Sequence, residues 1–332
     1  MIVLFFKIFL IGEIMSVNTF YFEKTKNVIE EIQKSVIGKD EAINKILMAI
    51  LARGHVLVED IPGLGKTTLA IAFSKVLGLD FNRIQFTPDV MPSDVTGYSM
   101  YNRKTNDFEY KQGAVVCNLL LADEINRTSP KTQSALLEVM EEQAVTVDSV
   151  RYMIPDPFTV IATENPFGSA GTQKLPESQM DRFMIKISLG YPSIEDEINI
   201  MKYKKEVGRE IPSSNVMTAA ELVEIQDYIN TISVDDSIYD YVARLAKATR
   251  ENDNILQGIS PRGSISTIAM AKACAFLNVR DFVMPSDIKS VFAYTASHRI
   301  VVDNSLRNSE LTPENIIYDI LKTTQAPTIS FK

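Results

Sequence analysis

The stretch EDIPGLGKTTLA, residues 59–70, restricts the possible folds of this chain more than any other. It follows a short apolar run, HVLVE at 55–59, and opens a helical pattern, TTLAIAFSKVLG at 67–78. A strand, a glycine-rich turn and a helix in this order are the setting of a phosphate-binding loop, G-x-x-x-x-G-K-[ST]. The pattern therefore predicts an α/β fold in which a parallel sheet is covered by helices on both faces.

The loop contains the groups that polyphosphate binding requires. Gly63 and Gly65 let the backbone approach the phosphates, and the following helix directs the positive end of its dipole at them. Lys66 can reach the β- and γ-phosphates, and the hydroxyl of Thr67 is a ligand for Mg²⁺. The nucleotide-binding loop is thus predicted to comprise Asp60, Ile61, Pro62, Gly63, Leu64, Gly65, Lys66, Thr67 and Thr68.

One residue of the loop departs from the pattern, because Asp60 stands where the first glycine is expected. That position lies at the end of the strand, farthest from the β-phosphate. Aspartate also tolerates a positive φ better than most residues do. We therefore expect the loop to function with Asp60 in place.

Two later strand ends supply the remaining groups of a hydrolytic site. LLLADE ends in Asp123, which can hold Mg²⁺ through water, and Glu124, which can orient and polarise an attacking water. Asn165 follows the apolar run FTVIA and can hydrogen-bond the γ-phosphate or that water. Ligands of parallel sheets bind beyond the carboxyl ends of the strands, so these groups are expected to meet at the loop. The predicted cofactors are ATP and Mg²⁺, with Thr67 and Asp123 as metal ligands.

The chain changes character after Pro192. Later residues form several amphipathic helical patterns, such as Leu222, Ile225 and Ile229, and few strand signals. A smaller all-helical domain is therefore predicted to follow the α/β domain. The predicted organisation is an apolar leader at 1–14, the nucleotide-binding domain at 15–192, a linker at 193–214 and the helical domain at 215–332.

The apolar leader MIVLFFKIFLIG is shorter than the roughly 20 residues that cross a bilayer, and it contains Lys7. It lacks the basic segment and the small-residue cleavage site of a signal peptide. Met15 begins MSVNTFYFEK, which reads as a natural start. We interpret residues 1–14 as the result of a mis-assigned start, with a membrane anchor as the alternative.

Composition narrows the choice of partners and compartment. Lys and Arg number 34 against 42 acids, a net charge of −8, whereas proteins that bind nucleic acid through its phosphates usually have the opposite balance. The two cysteines, Cys117 and Cys274, lie in apolar surroundings without C-x-x-C spacing. Buried thiols of this kind indicate a reducing compartment, so a cytoplasmic location is predicted.

Longer blocks in the same order resemble the MoxR family of AAA+ ATPases. The blocks are RIQFTPDVMPSDVTGY (83–98), LLLADEINRTSPKTQSALLEVMEEQAVTV (119–147), ATENPFGSAGTQKLPESQMDRF (162–183) and GISPRGSISTIAMAKA (258–273). The form E-D-x-P-G-x-G-K-T is also common in that family, which favours a working site. The resemblance implies an AAA+ core followed by a helical lid, an insertion at 94–113 and a hairpin about Asp148-Ser149.

The resemblance also implies roles for single residues. Arg182 in DRF matches the arginine finger, which enters the site of the neighbouring subunit, and Arg262 in SPR matches the sensor-2 arginine of the lid. Arg127 in INR matches a basic residue at or near the subunit interface, and Val36 and Ile37 occupy positions that line the adenine. The predicted catalytic set is Lys66, Glu124, Asn165, Arg182 and Arg262.

An arginine supplied by a neighbour would make hydrolysis depend on assembly. The resemblance implies a homohexameric ring that couples Mg²⁺-dependent ATP hydrolysis to chaperone-like remodelling, maturation or metal insertion of a client protein. The client is not identified by the sequence, and MoxR-like proteins often act beside proteins with a von Willebrand factor A domain. Neither a nucleic-acid nor a membrane partner is expected.

Two alternatives stay open. The first is a nucleic-acid-translocating AAA+ motor, which the acidic net charge disfavours. The second is a P-loop small-molecule kinase, which would not require the set of Glu124, Asn165 and Arg182.

Overall fold

The structure, a computed structural model, describes residues 19–166, 175–207, 214–303 and 312–328. At its centre lies a five-stranded sheet in the order β2-β5-β8-β1-β9, and every neighbouring pair in it is parallel. The strands are β1 Val56–Glu59, β2 Phe81–Gln85, β5 Leu119–Asp123, β8 Thr159–Glu164 and β9 Ile185–Ile187. Strands β5 and β8 are buried at every position, as expected when both faces of a sheet are covered.

Helices cover both faces of the sheet, so the predicted α/β fold is confirmed. Residues 19–33 are helical (α1), and the further helices of this part are α2 Asp40–Leu51, α3 Lys66–Val76, α4 Pro92–Thr96, α5 Pro130–Glu142 and α6 Glu177–Met180. Val56 and Val58 pack into one core with α2 and α3, whereas Leu57 packs into a second core with Leu136 of α5. Successive side chains of a strand point to opposite faces, and β1 therefore contributes to both cores.

Two antiparallel hairpins extend this domain. Strands β3 Gly97–Asn102 and β4 Asp107–Gln112 form the first, within the insertion implied at 94–113. Strands β6 Ala144–Val147 and β7 Val150–Met153 form the second, as predicted. Its two-residue turn places Asp148 at φ 49° and Ser149 at φ 68°, and two positive φ values are typical of a tight type I′ turn.

The second half of the described chain is mainly helical. Its helices are α7 Ile194–Val207, α8 Ala219–Asn230, α9 Asp236–Arg250, α10 Pro261–Leu277, α11 Pro285–Ala296 and α12 Pro313–Thr323. A short antiparallel ribbon, β10 Ile255–Gln257 with β11 Val301–Val302, adds strand structure that the sequence did not predict. The core on the α2 and α3 side continues into this half through Leu222 and Phe276.

The stretch predicted as a linker begins with a helix, α7. The Ser193 hydroxyl accepts a hydrogen bond from the Asp196 N–H at 3.1 Å, so Ser193 acts as its N-cap. The first turn is acidic and the last is basic, which complements the helix dipole. The capping pattern S-x-x-D at 193–196 was the sequence signal for this helix, and the interpretation of the whole stretch 193–214 as a linker missed it.

The leader predicted at 1–14 lies outside the described residues. Within the parts of the chain that the structure describes, no helix is both long and apolar enough to cross a bilayer.

Candidate active site

The loop between β1 and α3 presents an open backbone. Gly63 and Gly65 have φ values of +92° and +86°, and a Cβ built on either of them would meet no atom within 4 Å. Helix α3 begins at Lys66, so the free N–H groups of its first turn and the positive end of its dipole lie at this loop. An open, glycine-lined backbone at a helix N-terminus fits a phosphate group.

A cavity of about 420 Å³ lies on one side of this loop and is called the phosphate cavity below. Its lining residues are Pro62, Gly63, Gly65, Lys66, Thr67, Thr68, Arg83, Gln85, Asp123 and Glu124. The hydroxyl of Thr67 and the carboxylate of Asp123 are hard oxygen ligands, so the donor set fits Mg²⁺.

A second cavity of about 270 Å³ shares Gly63, Gly65 and Thr68 with the first, and is called the base cavity. Its other lining residues are Ser35, Val36, Ile37, Lys39, Leu64, Pro192, Ile200, Tyr203 and Lys204. The loop thus separates two spaces, one polar and acidic at the strand ends and one with apolar walls. Val36 and Ile37 both line this cavity, and their contact with an adenine stays a prediction. Helix α7 contributes three lining residues that the sequence did not predict.

Lys66 lies among negative charges in the phosphate cavity. Its Nζ donates a hydrogen bond to the Asp60 carbonyl oxygen at 2.6 Å. Burial lowers the pKa of Lys66, and the nearby charges of Asp60, Asp123 and Glu124 oppose that shift. An ammonium group has three N–H donors, so further ones remain for phosphate oxygens.

The Asp60 side chain turns away from both cavities. Its carboxylate accepts hydrogen bonds from the Ser188 hydroxyl at 2.9 Å and from the Leu189 N–H, just beyond β9. The buried Lys39 ammonium donates to the carbonyl oxygens of Leu189 and Gly190 at 2.9 and 2.8 Å.

Asp60 is not among the residues with positive φ, so the expectation that aspartate is accepted for its backbone preference is wrong. The carboxylate instead joins the ends of β1 and β9. Like Asp60, Ile61 of the predicted loop lines neither cavity.

Asp123 is held on two sides at the end of β5. Its Oδ1 accepts a hydrogen bond from the Thr163 hydroxyl at 2.6 Å, and its Oδ2 accepts one from Arg83 Nη2 at 2.7 Å. Arg83 lies on the neighbouring strand β2 and was assigned no role from the sequence. The sequence pattern that could have indicated a role for Arg83 is the pair Arg83 and Gln85. These two polar residues occupy alternate positions of one strand and therefore point to the same side of the sheet.

Glu124 follows Asp123 and leaves the strand with a left-handed backbone, at φ 55°. Its Oε2 accepts hydrogen bonds from Arg127 Nη1 at 2.6 Å and from Gln85 Nε2 at 3.0 Å. Arg127, which the resemblance placed at or near a subunit interface, therefore contacts an acid of the same chain. Both acids of the strand end thus face the phosphate cavity with a cationic partner.

Asn165 lies at the expected edge of the sheet, directly after β8. Its carbonyl oxygen accepts a hydrogen bond from Asn126 Nδ2 at 3.1 Å, and it is not among the residues that line the phosphate cavity. The β8 residue that contacts both acids is Thr163, since its Oγ1 also accepts from the Glu124 N–H at 2.8 Å. The role of Asn165 as a sensor stays a prediction.

The two predicted catalytic arginines lie elsewhere. Arg182 follows α6 and Arg262 lies in the first turn of α10, and both pair with Glu141. They line a third cavity of about 180 Å³, whose lining residues include none of the loop. The fold therefore brings these arginines to each other and not to the phosphate cavity of their own chain.

Comparisons with known proteins agree with this architecture. Residues 55–185 match the ATPase family associated with various cellular activities (AAA), and residues 247–320 match the AAA lid domain. The chain is 43% identical to the uncharacterised protein YeaC of Bacillus subtilis, over 90% of this chain and 93% of YeaC. It is 37% identical to chaperone MoxR1 of Mycobacterium tuberculosis, over 92% of this chain and 83% of that protein.

A solved structure is also similar over nearly the whole length. A protein from Cytophaga hutchinsonii that was assigned as an ATPase superposes with a TM-score of 0.89 and 38% identity, covering 96% of this chain and 99% of that one. The three similarities thus cover at least 90% of this chain and at least 83% of each relative. The chain belongs to the MoxR family of AAA+ ATPases.

Proposed function

We propose that this protein is a Mg²⁺-dependent ATP hydrolase whose active sites are completed by neighbouring subunits of a ring. One observation carries the proposal: Lys66, Asp123 and Glu124 surround one cavity, whereas Arg182 and Arg262 line another. An arginine that stabilises a transferring phosphoryl group contributes on the order of 10³–10⁵ in rate. Arg83 of the same chain lines the phosphate cavity, but it is paired with Asp123. A site whose own arginine is engaged in this way reaches full turnover only beside a second copy.

Each residue around the phosphate cavity has a role in this proposal. Lys66 binds the β- and γ-phosphates, and Thr67 and Asp123 hold Mg²⁺, the second of them through water. Held there, Mg²⁺ would supply positive charge against the negative charge that develops on the phosphates. Glu124 orients and polarises the attacking water, and Asn165 senses the γ-phosphate from the neighbouring strand end. The adenine enters the base cavity, between Val36, Ile37 and the residues of α7.

The assembly proposed is a homohexameric ring. An arginine that serves the next subunit requires a head-to-tail interface, and such an interface closes into a ring when its rotation allows. We further propose that the ring remodels or matures a client protein, including by metal insertion, and that a von Willebrand factor A domain protein is a partner. The chaperone-like role is supported by the 37% identical relative, which is named a chaperone, whereas the metal insertion and the partner rest on the family resemblance.

Charge and cysteine chemistry support the remaining parts of the proposal. A net charge of −8 favours a protein client over a nucleic acid or an anionic membrane surface. Cys117 and Cys274 are both free, buried thiols, in keeping with a cytoplasmic location.

Mixed rings test the shared site. Lys66→Ala removes nucleotide binding but leaves the arginines, and Arg182→Ala removes the finger but leaves the loop. Each variant alone should be nearly inactive. An equal mixture, reassembled together, should regain about one quarter of wild-type turnover, because half of the subunits keep the loop and half of these have an intact head-to-tail neighbour.

The control is the double variant Lys66→Ala/Arg182→Ala, which should rescue neither parent. An equal mixture of the single variants that stays inactive, although the rings form, would contradict the shared site. Full activity of Arg182→Ala alone would contradict it as well.

A further inference from the structure

Glu141 is the residue that joins the two arginines. It lies in the last turn of α5, and its two carboxylate oxygens are divided between them: Oε2 pairs with Arg182 Nη1 and Oε1 pairs with Arg262 Nη2. Arg182 belongs to the α/β domain and Arg262 to the helical domain. One carboxylate thus bridges two cationic side chains from different domains.

The backbone segments behind both arginines are fixed by buried contacts. Asp181 accepts hydrogen bonds from the Ser260 hydroxyl at 2.8 Å and from Arg299 Nε at 2.6 Å. Ser260 is the N-cap of α10, so the helix that bears Arg262 begins against the residue that precedes Arg182. Arg299 is only 4% exposed. Backbone position is therefore set without Glu141. Glu141 contacts the guanidinium groups of both side chains, and the Leu137 carbonyl oxygen adds a second contact to Arg182 alone.

The bridge leaves most donors of both guanidinium groups open. A guanidinium has five N–H donors. Within the described parts of the chain, Arg182 uses Nη1 alone, for Glu141 and for the Leu137 carbonyl oxygen at 2.9 Å, and Arg262 uses only Nη2. The remaining nitrogens of each fork can bind a phosphate while Glu141 stays in place. Glu141 therefore does not have to release the two arginines before they bind a phosphate.

We propose that Glu141 is a positioning residue that holds Arg182 and Arg262 as a pair for the nucleotide site of the neighbouring subunit. The inference rests on the proposed shared site. Long arginine side chains have many rotamers, and two guanidinium groups at close range repel each other. A carboxylate between them restricts their rotamers and offsets their mutual repulsion before the neighbour's phosphate binds.

The test places Glu141→Gln on one side of the shared site at a time. Donor subunits carry Lys66→Ala and supply arginines, whereas acceptor subunits carry Arg182→Ala and bind ATP. Glutamine keeps the length of the side chain but has no charge and turns an NH2 group toward one of the two arginines, so one of the two pairs is lost. In the donor it should reduce the rescued turnover by up to about 100-fold, the scale of a 1 Å misplacement of a catalytic group. In the acceptor it should change nothing.

Glu142→Gln in the donor is the matched control. Glu142 is the next residue, is exposed, and contacts Arg151 instead of the two arginines. It removes the same charge from the same helix end and should leave rescued turnover unchanged.

Three results would overturn the role of Glu141 while leaving the shared site intact. They are unchanged turnover with Glu141→Gln in the donor, equal losses of turnover with Glu141→Gln in the donor and in the acceptor, and faster turnover, which would mean that Glu141 inhibits the arginines. An inactive mixture before any change at Glu141 would instead refute the shared site, and the role of Glu141 with it.

Discussion

Restoring the missing glycine of the phosphate loop should damage this protein. Asp60→Gly brings the loop closer to the general pattern G-x-x-x-x-G-K-[ST], and judged by that pattern it would be neutral. The structure predicts the opposite, because the buried Asp60 carboxylate accepts hydrogen bonds from the Ser188 hydroxyl and the Leu189 N–H. Without it, the segment just beyond β9 loses two hydrogen bonds to the end of β1.

The size of the effect follows from the groups that lose partners. A hydrogen bond to a charged acceptor contributes about 1.5 kcal/mol at the lower end of its range, and two such bonds are lost. A glycine adds about 0.5 kcal/mol through the flexibility of the unfolded chain. Lys39, which is 8% exposed, also loses a nearby negative charge. Asp60→Gly should therefore destabilise the fold by about 3.5 kcal/mol, which for a chain of 332 residues lowers the Tm by about 5 °C.

Thermal unfolding in the absence of nucleotide measures this change. Asp60→Asn is the informative intermediate, since its single carbonyl oxygen keeps one of the two bonds and should cost about half as much. Asp253→Gly, at an exposed position, controls for a glycine placed in a loop. A Tm of Asp60→Gly equal to that of the unchanged protein would refute the structural role of the carboxylate.

Two further predictions concern chemistry and pH. Glu124→Gln should bind ATP with unchanged affinity, because Lys66 and the loop remain, yet turn over at least about 100-fold more slowly, since the general base is lost; calorimetry with a turnover assay checks both, and brisk turnover would exclude Glu124 as the base. His55 is fully buried, accepts from the Val160 N–H at Nδ1 and has its pKa lowered to about 4 by burial. The unfolded chain therefore binds the extra proton first, so stability should be lost as the pH falls from about 6.5 towards 4. This amounts to about 2 kcal/mol between pH 7 and 5. The free energy of unfolding can be measured with urea at several pH values for the unchanged protein and for His55→Gln. The same pH dependence in both proteins would contradict the role of His55.

Structural features that depend on residues adjacent in the sequence were predictable from the sequence. The helix α5 is an example: Ser129 accepts from the Thr132 N–H and Pro130 is the first helical residue, as the pattern S-P indicates. The convergence of Lys66, Asp123 and Glu124 was also predictable, because the carboxyl ends of parallel strands share one edge of the sheet. Local periodicity and this one rule of topology were sufficient for these three groups of the phosphate cavity, but not for Arg83.

The orientation of individual side chains was not predictable, and the tertiary structure alone decided it. Asp60 meets Ser188 across 128 residues, and Arg262 meets Glu141 across 121. Such pairs have no sequence spacing that marks them, since they depend on which strands are neighbours and on how the lid packs against the core. The sequence by itself therefore determined the α/β fold with its phosphate-binding loop and the types of the groups that meet at the phosphate cavity. Only the packed structure showed that the Asp60 carboxylate connects the ends of β1 and β9. It also placed Arg182 and Arg262 together, away from the phosphate cavity of their own chain.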